Sequence, residues 1–188
     1  AENWMTQAER DAANERGRVR MEASGKWSDR MKYTIVMMYV ALSNRLDFAN
    51  VLVKSEDEYD ALPKSERESN NYYTRNNNGT ASMRIGAYKT ARKIIKGVEK
   101  PYRGVIVTQL SDEMRQLIEE WLPHCKVPGY LFCNLRRNSE KEYVPLTEKA
   151  LGHLIVEFYK QNFDKNKKVG CTMLYKLKVS EGPVAEHD

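Results

Sequence analysis

Cysteine is scarce in this sequence. Its 188 residues include three: Cys125, Cys133 and Cys171. An odd number without C-x-x-C spacing argues against a disulfide framework and against a structural zinc site. Histidine is equally scarce: His124, His153 and His187. Their spacing matches no metal-binding motif. We therefore expect reduced thiols in a reducing intracellular compartment (nucleus, cytoplasm or virion), with no metal and no other cofactor.

Long apolar runs are also absent. The longest extends from Ile35 to Leu42 and is far shorter than the roughly 20 residues of a membrane span. The first residues are polar and acidic, unlike a signal peptide, so we expect no membrane association. The sequence contains no P-loop and no GxGxxG, GxSxG or HExxH motif. None of these common catalytic or cofactor-binding signatures therefore indicates an enzyme class.

The sequence does contain enough apolar residues for a core. Hydrophobic residues make up 41% of the chain, and no Pro/Ser-rich linker divides it. We expect one domain over residues 1–188, with an entry helix at 1–25 and a tail at 182–188. Lysine and arginine number 31 against 26 acidic residues, a formal charge of +5. This modest excess permits a nucleic-acid partner without requiring one.

Four helices are predicted from capping residues and apolar spacing. Thr6 and Glu9 form a capping box for the entry helix, which Gly25 ends. A central buried helix is predicted over 28–43, capped by Ser28 or Asp29. Two amphipathic helices follow, and each begins after a hydroxyl cap: Ser111 and Thr147.

Strands are predicted in the middle of the chain. A hairpin pairs 71–75 with 80–88 around the turn Asn76–Gly79, because Asn-Gly supplies the positive φ angles of a tight turn. Further strands are predicted at 50–54 and 104–108, and an acidic loop at 56–60. The predicted fold is α+β: a mostly helical domain with a small three-stranded antiparallel sheet.

Basic residues concentrate in two segments. Between Arg84 and Arg103, seven basic residues face one acid, and five lysines face one acid between Asp164 and Lys178. Such segments suit DNA phosphates, or form a solvated edge strand that lysines protect from aggregation. The candidate DNA-binding residues are Arg84, Lys89, Arg92, Lys93, Lys96, Lys167 and Lys168.

Several short segments resemble one family. They are Asn3–Thr6, the stretch 41–50 (ALSNRLDFAN), Tyr88-Lys89-Thr90 after the hairpin, and 172–177 (TMLYKL). In this order they resemble the catalytic domain of tyrosine recombinases, particularly integrase-like proteins of large DNA viruses and their mobile elements. In that family a tyrosine attacks a DNA phosphate, two arginines stabilise the developing charge, and lysine and histidine transfer protons.

The resemblance implies a degenerate active site. Lys89 corresponds to the family's lysine, whereas Asn44 stands at the first arginine position and Arg45 next to it is a candidate substitute. In the segment 172–177, Thr172 stands at the family's histidine position, Tyr175 stands at its second arginine position, and Lys176 is next to Tyr175. Tyr175 is either a relocated nucleophile or, preferably, a packed side chain. Residues 177–188 supply no counterpart of the nucleophilic tyrosine.

Three functions remain open at this point. The first is a recombinase-like pseudoenzyme that binds the DNA phosphate backbone or acts in assembly. The second is a structural or virion scaffold protein, either a homo-oligomer or part of a larger assembly. The third is a truncated active recombinase that receives its tyrosine from elsewhere.

Overall fold

The computed structural model describes residues 4–42, 47–92 and 94–185, with side chains to residue 180. Its helices are Gln7–Ser24 (α1), Trp27–Ala41 (α2), Glu56–Asp60 (α3), Lys64–Ser69 (α4), Asp112–Trp121 (α5), Glu148–Asn162 (α6) and Cys171–Ala185 (α7). Its strands are Leu52–Ser55 (β1), Asn71–Arg75 (β2), Ala81–Ile85 (β3), Ile94–Ile95 (β4), Val98–Glu99 (β5) and Ile106–Gln109 (β6). The predicted α+β class is confirmed, with 48% helix.

The main sheet has four strands in the order β1-β2-β3-β6. The predicted antiparallel meander is present as β2, β3 and β6, but β1 joins it as a fourth strand parallel to β2. The strand prediction was therefore incomplete. Parallel neighbours need a crossover connection, and α3 and α4 provide it. The predicted acidic loop 56–60 is wrong, because Ser55 and Glu58 form a capping box that begins α3 there.

The helical body is built around α2, which α1, α5, α6 and α7 contact. This confirms the predicted central helix, and Ile35, Val36 and Met38 on it are fully buried. Its predicted cap is wrong: the helix begins at Trp27, and the N-cap residue Lys26 makes no side-chain capping bond. The Asp29 carboxylate instead accepts a hydrogen bond from Ser24, 2.6 Å away.

The other predicted caps are confirmed. Thr6 and Glu9 form both bonds of the capping box of α1, and Gly25 ends that helix with a φ of 64°. Ser111 and Thr147 accept backbone hydrogen bonds at the first turns of α5 and α6. The stretch 172–177 lies within α7, which extends to Ala185 and so into the predicted tail.

The core lies between the helices and one face of the sheet. Trp121 on α5 is fully buried, stacks on Trp27 and donates its indole N–H to the Leu131 carbonyl at 2.7 Å. This bond ties the buried segment around Leu131 to α5. On the sheet, Tyr73 and Met83 face the same core. Among the described residues, no helix is long and apolar enough to cross a membrane.

Candidate nucleic-acid interface

The predicted catalytic positions fall on three parts of the chain. Asn44 and Arg45 lie outside the described residues, as does Lys93. Lys89 lies exposed in the turn that follows β3. On α7, Thr172 and Lys176 are exposed and Tyr175 is half-buried.

The side chain of Asn71 joins two of these parts. It is buried on β2, and its amide donates to the carbonyls of Asp47 and Ala87 at 2.9 and 3.1 Å. Its oxygen accepts from the Ala87 N–H at 2.9 Å. Asp47 and the turn that carries Lys89 are therefore fixed to the same strand.

The start of α7 adjoins the same region. Tyr39 on α2 is buried, and its ring packs edge-on against Phe48 with centroids 4.8 Å apart. Burial is the main cause of its raised pKa, and nearby Cys171 and Asp47 raise this pKa further. Both residues thus lie close to one tyrosine. Asp47 and Phe48, after the end of α2, and Cys171, at the start of α7, therefore lie near the same buried tyrosine.

A small hairpin, β4–β5, follows the Lys89 turn. Its two-residue turn consists of Lys96 and Gly97 with φ angles of 52° and 77°. Two positive φ angles are the mark of the tight turn that suits the twist of a hairpin. A lysine adopts this region rarely, and here the conformation places Lys96 at the tip. Both hairpin strands are exposed, with Ile94 at 73% and Val98 at 59%.

The base of this hairpin is held by hydrogen bonds. The Arg103 N–H donates to the Ala91 carbonyl at 2.9 Å, and this bond joins the two ends of the segment that carries the hairpin. The Tyr88 hydroxyl donates to the Gly104 carbonyl at 2.7 Å, and the Tyr102 hydroxyl donates to the Gly86 carbonyl at 2.6 Å. The hairpin therefore projects from a fixed base.

The described basic residues of this segment divide into two groups. Four lie exposed on the turn, the hairpin and its return: Lys89, Lys96, Lys100 and Arg103. Arg84, which is half-buried, and Arg92, which is exposed, contact neighbouring side chains instead. Arg84 donates to the Thr74 hydroxyl at 3.1 Å and lies 4.7 Å from the centre of the Tyr59 ring. Arg92 pairs with Glu68 at 3.4 Å and stacks over Tyr102. We therefore place neither arginine at the centre of the interface.

The second basic segment lies at the other end of the chain. Lys167 is half-buried, and its ammonium donates to the Trp4 carbonyl at 3.4 Å. Lys168 is exposed and lines a cleft of about 860 Å³ between α6 and α7 together with Lys160, Lys176 and Trp4. Lys160 and Trp4 were not predicted as site residues, because each is isolated in sequence from the basic segments.

The described ranges contain no group of three or more His, Cys, Asp or Glu side chains placed to hold a metal ion. Cys125 and Cys133 are free thiols, and the Cys125 thiol donates to the carbonyls of Val127 and Tyr130. Interaction between the two neighbouring thiols lowers the pKa of Cys125 to about 7 and raises the pKa of Cys133.

Comparison with known proteins adds no family assignment. No protein-family model matches this chain, and no curated protein matches its sequence.

Proposed function

We propose that this domain binds duplex DNA through its phosphate backbone, with the β4–β5 hairpin and the Lys89 turn as the main contact. The observation that supports this is the exposed hairpin on its fixed base, with Lys96 at the tip. Lys89, Lys100 and Arg103 flank it, and Glu99 is the acid of the segment. Phosphate contacts of this kind position a protein on DNA without reading its sequence.

The shape of the hairpin also suits DNA. The major groove is about 12 Å wide and admits a two-stranded ribbon. The aliphatic side chains of Ile94, Ile95 and Val98 are exposed on this ribbon. In a groove they would contact thymine methyl groups, which accounts for apolar side chains among so many charges.

We further propose that the domain is a catalytically degenerate relative of tyrosine recombinases. The resemblance supports this, because Thr172 and Tyr175 stand where the family needs a histidine and an arginine, with Lys176 beside the arginine position. Loss of one contact to a developing oxyanion typically costs about 3 kcal/mol of transition-state stabilisation. The domain would then hold DNA without cutting it. A nucleophile from elsewhere would reveal itself as a covalent protein–DNA adduct.

A role in assembly is the second candidate. Strand β6 is the edge of the main sheet, and Ile106 and Val107 on it are about half exposed. Exposed apolar edge strands pair readily with other chains. An oligomer that forms through β6 and has no affinity for DNA would favour this structural role.

The deciding experiment is DNA affinity against salt concentration. We would compare the protein with a hairpin variant, Lys89→Ala/Lys96→Asn/Lys100→Ala. Asparagine tolerates the positive φ at position 96, so the turn is kept while its charge is lost. A matched control is Lys26→Ala/Lys64→Ala/Lys141→Asn, since these lysines are exposed elsewhere and Lys141 also has a positive φ of 65°.

The expected result is specific to the hairpin. Each phosphate contact on duplex DNA contributes about 0.9 to the slope of log K against log salt. The magnitude of this slope should therefore be smaller by about 2.7 in the hairpin variant, which lacks three lysines. The control variant should keep both slope and affinity. Equal losses in the two variants, or no duplex binding near 50 mM salt, would refute the proposal.

A further inference from the structure

The cleft between α6 and α7 combines positive charge with an exposed aromatic ring. Lys160 and Lys176 are exposed on its two helices, and Trp4 is 51% exposed at its edge. Its volume of about 860 Å³ falls within the range of ligand-binding sites, roughly 300–1,000 Å³. Between these polar groups lie the partly buried side chains of Val156 and Met173.

The acid in this cleft is already paired. Glu157 on α6 forms a salt bridge with Lys32, with 3.3 Å between the carboxylate oxygen and the ammonium nitrogen. The Lys32 side chain is almost fully buried. The carboxylate therefore neutralises an internal charge, and the lysines set the sign of the cleft. Lys167 fixes the backbone of Trp4 through the hydrogen bond to its carbonyl. The indole ring is thus held near the lysines by a backbone contact.

A second cleft continues this surface on the other side of α6. It has a volume of about 510 Å³, and His153 and Glu157 line both clefts. Three further basic side chains line it: Arg136, Arg137 and Lys149. A path across α6 would therefore meet basic groups from four separate segments of the chain.

From these features we propose that the α6–α7 cleft binds single-stranded nucleic acid, with a base stacked on Trp4 and phosphates on Lys160 and Lys176. Proteins that bind single strands combine a basic groove with aromatic side chains on which bases stack. A duplex keeps its bases stacked on one another and cannot offer one to Trp4. The site is therefore distinct from the hairpin in both location and ligand.

The test uses intrinsic fluorescence and labelled oligonucleotides. Trp121 is fully buried and Trp27 is partly buried against it, so quenching by an added strand reports mainly on the more exposed Trp4. The probes are an oligothymidylate of about 12 nucleotides, an oligouridylate and a duplex of the same length. Single strands should quench the emission and the duplex should not. Whether oligothymidylate or oligouridylate binds more tightly shows whether the cleft prefers DNA or RNA.

Four variants make the test decisive. Trp4→Ala should weaken single-strand binding about tenfold, whereas Trp4→Phe should keep it, since any aromatic ring can stack. Lys160→Ala/Lys176→Ala should lower the salt slope by about 1.4, at about 0.7 per contact on a single strand. Lys26→Ala/Lys64→Ala, on exposed lysines away from the cleft, should change neither.

The outcomes separate this proposal from the one on the hairpin. The hairpin variant should lose duplex affinity and keep single-strand quenching, whereas Trp4→Ala and Lys160→Ala/Lys176→Ala should lose single-strand affinity and keep duplex affinity. Undiminished single-strand affinity in Trp4→Ala, or equal quenching by the duplex, would overturn the cleft assignment and leave the hairpin assignment standing.

Discussion

Asn71 and Ala87 are joined by two reciprocal hydrogen bonds, of 2.9 and 3.1 Å, between the side chain of one and the backbone of the other. A third bond ties Asn71 to the Asp47 carbonyl. One buried amide thus fixes both Asp47 and the turn that presents Lys89. Buried polar groups left unpaired are costly. A substitution at position 71 should therefore lower the free energy of unfolding more than one at a neighbouring surface position.

Replacing Asn71 should therefore destabilise the fold. Asn71→Ala leaves three backbone groups without their partner, and we expect a loss of about 2–3 kcal/mol in the free energy of unfolding by urea. Hydrogen exchange should also quicken in the Lys89 turn. Asn77→Ala is the control, since Asn77 is exposed in the neighbouring hairpin turn and should cost at most about 0.5 kcal/mol. Similar stabilities for the two variants would contradict this account.

Gly86 is a second position in this region at which a side chain does not fit. A Cβ atom there would lie 2.0 Å from the Arg67 carbonyl oxygen and 2.7 Å from that of Asn70. Both are backbone atoms, so Gly86→Ala must displace the end of α4, at a cost of about 1–3 kcal/mol or more. Gly152 on α6 offers the matched control, because nothing lies within 4 Å of its Cβ position. Gly152→Ala should stabilise the helix by about 0.5–1 kcal/mol. In thermal unfolding, the melting temperature should fall in Gly86→Ala and rise in Gly152→Ala.

Local signals in the sequence account for what could be predicted. Helices α5 and α6 each combine a hydroxyl cap with an apolar stripe, and both features are visible within a dozen residues. The hairpin of β2 and β3 is equally local, since its Asn-Gly turn joins neighbouring strands. Helix α3 carries the same kind of signal in Ser55 and Glu58, but at five residues it is too short for an apolar stripe to reveal it.

Contacts between distant segments account for what could not be predicted. The parallel pairing of β1 with β2 depends on a crossover, which no residue pattern in either strand specifies. Asn71 reaches partners 24 and 16 residues away, and Lys167 meets Trp4 across 163 residues. Such contacts depend on tertiary packing. The charge run at 84–103 was visible in sequence, but only the fold separates the exposed Lys96 from the internally engaged Arg84.

Glu119 should make stability depend on pH. Its carboxylate accepts hydrogen bonds from the Tyr73 hydroxyl at 2.6 Å and from the Arg75 guanidinium at 2.9 Å. Burial raises the pKa of Glu119, but these bonds and the charges of Arg75 and Arg115 outweigh burial and hold the pKa below its usual 4.5. A carboxyl whose pKa is lower in the folded state stabilises the protein above its unfolded pKa. This contribution is lost as pH falls through the folded value.

The corresponding prediction concerns Glu119→Gln. At about pH 6 the variant should be less stable than the parent protein, because the ion pair with Arg75 is gone. Towards about pH 3 the parent should lose this advantage, so that the two unfolding free energies converge. Urea titrations across this range provide the measurement. A constant difference between the two proteins at every pH would show that the Glu119 charge makes no contribution.

The pair of Lys32 and Glu157 connects the helical core to the cleft and offers a test by double substitution. Lys32 is almost fully buried, so Glu157→Gln should leave an ammonium group without its counter-charge at a cost of about 1–2 kcal/mol, reduced from the fully buried case because Glu157 is half exposed. Lys32→Met/Glu157→Gln should recover most of that loss, since methionine fills the same space without a charge. Glu15→Gln, which breaks an exposed pair with Arg18 on α1, should change stability little. If the double variant is no more stable than Glu157→Gln alone, the lysine is not the cause of the loss, and Glu157 acts through its packing on α6 instead.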